Sequence, residues 1–131
     1  MNLQVCCTDA YARAARECAL EVDTTSAEPL VVLDAAVFYP GGGGQPADRG
    51  TILRAADGRS WVVKAARKFG REIAHELEPA DDGELPRFGD TVEVDVDWAR
   101  RYALMRTHTA QHALCGVVWR VNGALVTGGN I

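Results

Sequence analysis

The sequence predicts an α+β fold: a small barrel or sandwich of short strands, followed from Asp97 by helix. Three observations carry this. Short alternating or β-branched apolar runs recur at close spacing as far as Val96. Turn signals such as Asp57-Gly58 and Phe69-Gly70 separate them. After Asp97 the apolar residues change to helical spacing.

In chain order, Leu3 to Cys7 reads as a short strand, and Thr8-Asp9 as a helix start leading into one or two turns over Tyr11 to Cys18. Ala19 to Val22 alternates and reads as a strand. Glu28-Pro29 marks a turn before the β-branched run Leu30 to Leu33. Ala36 to Tyr39 carries apolar bulk into Pro40. Four glycines, Gly41 to Gly44, followed by Gln45-Pro46, can only be loop. Thr51 to Leu53 and Ser60 to Lys64 form a hairpin around Asp57-Gly58. Glu72 to Leu77 alternates, and Pro79 to Pro86 is an acidic loop. Thr91 to Val96 has the clearest two-residue period, with valines facing one way and acids the other.

Asp97 is placed to cap a helix, with Trp98, Tyr102, Met105, Thr109, His112, Gly116 and Trp119 on one stripe. The pattern allows one helix to Val121 or two with a break near Thr107. Asn122-Gly123 is a turn and Ala124 to Val126 a short strand. The boundary falls near Asp97, giving units 1–96 and 97–131. At 131 residues there is room for about one domain, or one with part of another.

A net charge of −4 argues against a general nucleic-acid coat protein. The charge is unevenly placed, however. From Glu76 to Asp97 the only basic residue is Arg87, whereas beyond Asp97 there are Arg100, Arg101, Arg106 and Arg120 and no acids. This is either a local basic surface or a solvated helix face. Cys6, Cys7, Cys18 and Cys115 make no disulfide framework, so reduced thiols in a cytoplasmic protein are expected. Asp9, Arg13, Arg16 and Glu17 interrupt any apolar signal-peptide core, and no apolar run is long enough to span a bilayer, so no membrane role is expected. Ser26 and Ser60, the only serines, lack the context of a catalytic triad.

His108-Thr109-Ala110-Gln111-His112 is the stretch with most chemistry in it. Residues four apart on a helix share a face, so both imidazoles can reach one point. A neutral imidazole is the commonest nitrogen ligand for zinc. The place after the first histidine, where a zinc protease carries a general-base Glu, holds Thr109. Cys115, three residues past His112, could point near the site but on the same helix reads rather as a buried small side chain, and His75 reads as structural. The four glycines form either a flexible loop or a backbone cradle near a ligand; no Lys-Ser or Lys-Thr follows, so this is not a P-loop.

Two stretches together are more specific. Phe38-Tyr39-Pro40-Gly41-Gly42-Gly43-Gly44-Gln45-Pro46-Ala47-Asp48-Arg49-Gly50 resembles the glycine-rich motif of AlaX-type alanyl-tRNA editing proteins. Asp97-Trp98-Ala99-Arg100-Arg101, continuing through Met105-Arg106-Thr107-His108-Thr109-Ala110-Gln111-His112, resembles the start of their metal-binding domain. Thr8-Asp9-Ala10-Tyr11 is similar to the family's N-terminal segment. The resemblance implies an N-terminal β-barrel-like domain and the first helical part of an α/β editing domain. It implies zinc held by His108 and His112 with a later Cys and His, and hydrolysis of mischarged seryl- or glycyl-tRNA for alanine.

On that resemblance Thr109 would recognise the seryl hydroxyl, and Gly42, Gly43, Gly44 and Gln45 would fold over the aminoacyl end of the tRNA. No Cys or His follows Cys115, so the two further zinc ligands are expected beyond Ile131, as in a chain truncated at its C-terminus. The alternatives are a non-catalytic module that docks on tRNA or a synthetase, and an isolated fragment. The fragment would self-associate through the face its missing half should cover.

Overall fold

The computed structural model describes residues 2–131. Six antiparallel strands close into a barrel in the order β1-β2-β5-β4-β3-β6, with β6 pairing back onto β1. They are β1 (Ala14–Asp23), β2 (Leu30–Leu33), β3 (Gly50–Arg54), β4 (Ser60–Phe69), β5 (Glu72–Leu77) and β6 (Thr91–Val96). One helix, α1 (Trp98–Asn122), follows.

The alternation in β6 places Val92, Val94 and Val96 inside, while Glu93 and Asp95 face solvent. Ile52, Val63, Ile73 and Leu77 fill the same interior from β3, β4 and β5. Register shifts at Ala19/Glu21 in β1 and Val63/Ala65 in β4 bend the two longest strands, as closing so small a barrel requires. At Gly50 a Cβ would lie 2.1 Å from the Asp95 carbonyl oxygen, so only glycine lets β3 approach β6 there.

The N-terminal segment differs from the sequence expectation. Tyr11 to Cys18 contains no helical turn; Ala14 to Cys18 pairs with β6, and β1 runs on through Asp23. The helix-forming alanines and arginines lose to the ladder that closes the barrel. Leu3 to Cys7 is not a strand: Leu3 makes one bridge to Ala35, and Val5–Cys7 is a 3₁₀ turn. The Asn2 amide takes a strand's place against β5, donating to the Ile73 carbonyl at 2.9 Å and accepting from its N–H at 3.2 Å. Ala124 to Val126 is irregular rather than strand.

The strand-to-helix change at Asp97 is as expected. Only Asp97 separates β6 from α1; its N–H donates to the Arg49 carbonyl at 2.7 Å, and its carboxylate accepts from the Arg100 N–H at 3.1 Å. The helix is continuous through Thr107, whose hydroxyl donates to the Ala103 carbonyl. It ends at Gly123, which takes the left-handed conformation with φ 63°.

The helical stripe is not a buried face, because Arg101 is the only buried residue of α1. Leu114, Val117, Trp119 and Val121 are exposed. The helix is fastened near its N-terminal end through Arg100 and Arg101. No helix among the described residues is long and apolar enough to cross a membrane.

Candidate functional site

The site is built where α1 passes the loop between β2 and β3. Arg101 sets this geometry. Its guanidinium donates to the Asp48 carboxylate, to the Val37 carbonyl, and to the Ala12 carbonyl at 2.6 Å. Asp48 Oδ2 also accepts the Tyr39 N–H at 2.7 Å. One ion pair therefore ties the N-terminal arm, the glycine loop and the helix together. Arg100 adds a bond to the Ala47 carbonyl at 2.6 Å.

The glycine loop is a tight hairpin. Gly42 and Gln45 exchange both backbone hydrogen bonds at 3.0 Å. Gly43 and Gly44 between them have φ of 59° and 89°, values of a type I′ turn that side chains resist. The Tyr39 hydroxyl donates to the Gly42 carbonyl at 2.9 Å. Burial raises this phenol's pKa, helped by Cys7, Cys6 and Asp48, so it keeps its proton and remains a donor.

His108 and His112 face each other with Nε2 atoms 3.0 Å apart and ring centroids 4.7 Å apart. His108 Nδ1 lies 3.3 Å from Gln45 Oε1. An amide oxygen can only accept, so this contact favours the tautomer with the proton on Nδ1, which in the neutral ring leaves the Nε2 lone pair available. Two ligands of a tetrahedral zinc, each at about 2.0–2.1 Å, would sit about 3.3 Å apart. The pair fits two corners of such a site with a small outward movement. Among the described residues no group of three His, Cys, Asp or Glu side chains could hold a metal.

Two cavities flank His108. One, about 310 Å³, is lined by Cys6, Tyr39, Gln45, Met105, His108 and Thr109, among others. The second, about 280 Å³, lies between Gly43, His108, His112 and Cys115 on one side and residues 126–129 on the other. Thr109, Gln45, Gly43 and both histidines are thus brought together, while Gly42 and Gly44 hold the turn. The Ile131 N–H donates to the Gly44 carbonyl at 3.2 Å, closing the chain's last residues over the loop.

Cys115 is only half-buried and lines the cavity beside the histidines, which corrects the reading of it as core. His75 is structural as expected: it is fully buried, with Nδ1 3.1 Å from the Val31 carbonyl and its ring edge-on to Phe38. Another surface cavity, about 730 Å³, lies against β3, β4 and β6 and contains none of these residues.

Sequence reasoning passed over Cys6, Tyr39 and the Asp48–Arg101 pair. Desolvation, then Cys7, pushes the Cys6 thiol up to about 12, so it is no thiolate nucleophile at neutral pH.

Residues 8–100 match the family described as tRNA synthetases class II (A). The chain belongs to that family. Within this synthetase family its similarity extends to editing proteins. It is 40% identical over 110 residues to "Alanyl-tRNA editing protein AlaX-M" of Methanosarcina barkeri, covering 84% of this chain and 45% of that protein. It is 40% identical over 101 residues to the protein of the same name from Saccharolobus solfataricus, covering 77% and 42%. It is 44% identical over 115 residues to "Alanine--tRNA ligase" of Pyrobaculum calidifontis, covering 88% of this chain and 12% of the ligase. The chain spans about half the length of the editing proteins it matches.

Proposed function

We propose that this chain is the part of an alanyl-tRNA editing hydrolase that presents the glycine turn and the first two zinc ligands. The protein would deacylate seryl- or glycyl-tRNA mischarged in place of alanine. One observation carries this reading: the Nε2 atoms of His108 and His112 converge at 3.0 Å beside a glycine turn whose Gln45 is bonded to His108. Zinc, when bound, would supply a Lewis acid that polarises the ester or activates a water. His108 and His112 would hold it, with two more ligands from outside the residues described.

The other groups have roles consistent with ester hydrolysis. Thr109 lines the cavity next to His108, where its hydroxyl could bond the hydroxyl of a seryl group. A site that pairs with a hydroxyl discriminates strongly against the substrate lacking one, which would spare correct alanyl-tRNA. Gly43 and Gly44 leave the turn bare, so a substrate can approach the backbone closely. With the Cys6 thiol held protonated, water rather than cysteine would be the nucleophile.

The test is the His108→Ala/His112→Ala double variant of the complete protein, assayed for zinc content and for release of serine from mischarged tRNA. Loss of both supports the assignment; full activity overturns it.

A second reading is a non-catalytic module that docks on tRNA, consistent with a helix α1 that carries Arg100, Arg101, Arg106 and Arg120 and no acidic residue. It predicts less than one zinc per chain and tRNA binding that weakens with salt. The exposed Leu114, Val117 and Trp119 further suggest self-association of this chain, read by sedimentation across a concentration series.

A further inference from the structure

A ladder of rings and guanidiniums runs along the first half of α1. Trp98 and Tyr102 stack with centroids 5.7 Å apart and planes 25° from parallel. Tyr11 also meets Trp98, with centroids 5.7 Å apart and planes tilted by 49°. Arg13 lies over Trp98 at 4.9 Å, and Arg106 over Tyr102 at 5.8 Å. Core aromatics are covered, but Tyr11 is 66% exposed and Tyr102 43%.

The ladder leads toward the histidines. Tyr102, Arg106 and Thr109 fall on one side of the helix, at i, i+4 and i+7. A surface cavity of about 410 Å³ joins Tyr11, Tyr102, Met105 and Arg106 to Thr109. Met105 and Thr109 also line the cavity beside His108. No acidic residue lies anywhere in α1, although the whole chain carries −4.

We propose that this strip is a stacking platform for a single-stranded RNA end, guiding it along α1 to the histidine pair. The exposed rings of Tyr11 and Tyr102 offer stacking surface to unpaired bases of any sequence, and the guanidiniums of Arg13 and Arg106 beside them pair with phosphates. A double helix buries its base faces in its own stack and leaves only its terminal pairs to these rings. The inference rests on the editing reading for its direction, since the end of an acylated RNA is what must reach His108. The stacking chemistry itself does not depend on catalysis.

The experiment measures binding of a fluorescent single-stranded oligoribonucleotide and of a blunt RNA duplex to the 131-residue chain, by anisotropy at low salt. The single strand should bind more tightly than the duplex. Tyr102→Ala should weaken single-strand binding by roughly 5- to 100-fold, while Tyr102→Phe retains it. Arg120→Ala, at the far end of the helix, should have little effect. Circular dichroism confirms that each variant keeps its helix.

Equal binding of duplex and single strand, or unchanged binding in Tyr102→Ala, overturns the platform. A strip covered by other parts of the complete protein would show in that protein as no single-strand binding, and also overturns it. Deacylation by the complete protein separates the two claims. Activity with a KM indifferent to Tyr102→Ala refutes the platform alone. Tyr102-dependent binding without deacylation refutes the editing reading alone.

Discussion

Arg101 Nε lies 2.7 Å from Asp48 Oδ2, and the two side chains are 3% and 1% exposed. A buried pair of this kind is costly to break, because the surviving partner is left charged and out of water. Arg101 is also the only buried residue of α1, and no residue of α1 belongs to the barrel's main apolar core. Arg101→Met should therefore release the helix while leaving the barrel folded, at a cost of about 3–5 kcal/mol. Iodide quenching of Trp98 set against Trp61 reads this: Trp98 should become accessible while Trp61 stays protected. Arg101→Lys should not restore docking, since one ammonium cannot span Asp48 and two separate backbone carbonyls.

Gln45 biases which nitrogen of His108 carries the proton. Gln45→Ala should let the imidazole populate both tautomers, visible as changed ¹⁵N shifts of His108 in metal-free protein. The zinc affinity proposed for the complete protein should fall about 10- to 100-fold. Gln45→Glu keeps an acceptor oxygen and should retain the Nδ1–H tautomer.

Glu17 is buried in β1 with neither carboxylate oxygen bonded. Burial, with a smaller contribution from Asp34, pushes it up to about 8. The folded protein thus holds a proton that the unfolded chain gives up near 4.5. Its contribution to stability is complete below that value and is lost as pH rises through about 8. Glu17→Gln should stabilise the protein by about 1–3 kcal/mol at pH 9 and change little at pH 5, in urea titrations at each pH. His75 works in the opposite direction: burial lowers it to about 4, so stability falls as pH drops from 6.5 through that value.

Gly50 is a steric requirement rather than a flexible point. An added Cβ would meet the Asp95 oxygen at 2.1 Å and the Phe38 ring at 2.9 Å. Gly50→Ala should cost about 1–3 kcal/mol or more by prising β3 from β6, seen as a lower urea midpoint.

What the sequence disclosed follows the reach of each interaction. The period-two pattern of Thr91 to Val96, the glycine turn and the Asp97 cap are local, and each was legible. The i, i+4 spacing likewise put His108 and His112 on one face. Ala14 to Glu17 was misread because alanine, arginine and glutamate favour helix, and only pairing with a strand some 75 residues away overrides them. β4 continues through Ala65, Ala66, Arg67 and Lys68 for the same kind of reason, its partner being β5.

At the site, nothing in the spacing relates Gln45 to His108 or singles out Arg101 among its neighbouring arginines. Those assignments depend on where the barrel delivers the 34–49 loop. The exposure of Tyr102 and Trp119 was equally hidden, because a helical stripe looks the same whether or not anything covers it.

The single-residue passage from β6 into α1 has a geometric consequence. Each helical residue advances the chain about 1.5 Å and turns it about 100°. One residue inserted beside Asp97 would carry both imidazoles around the helix axis, away from the glycine hairpin, with every side chain of the site still present. Evolution can therefore vary the composition of that junction more freely than its length.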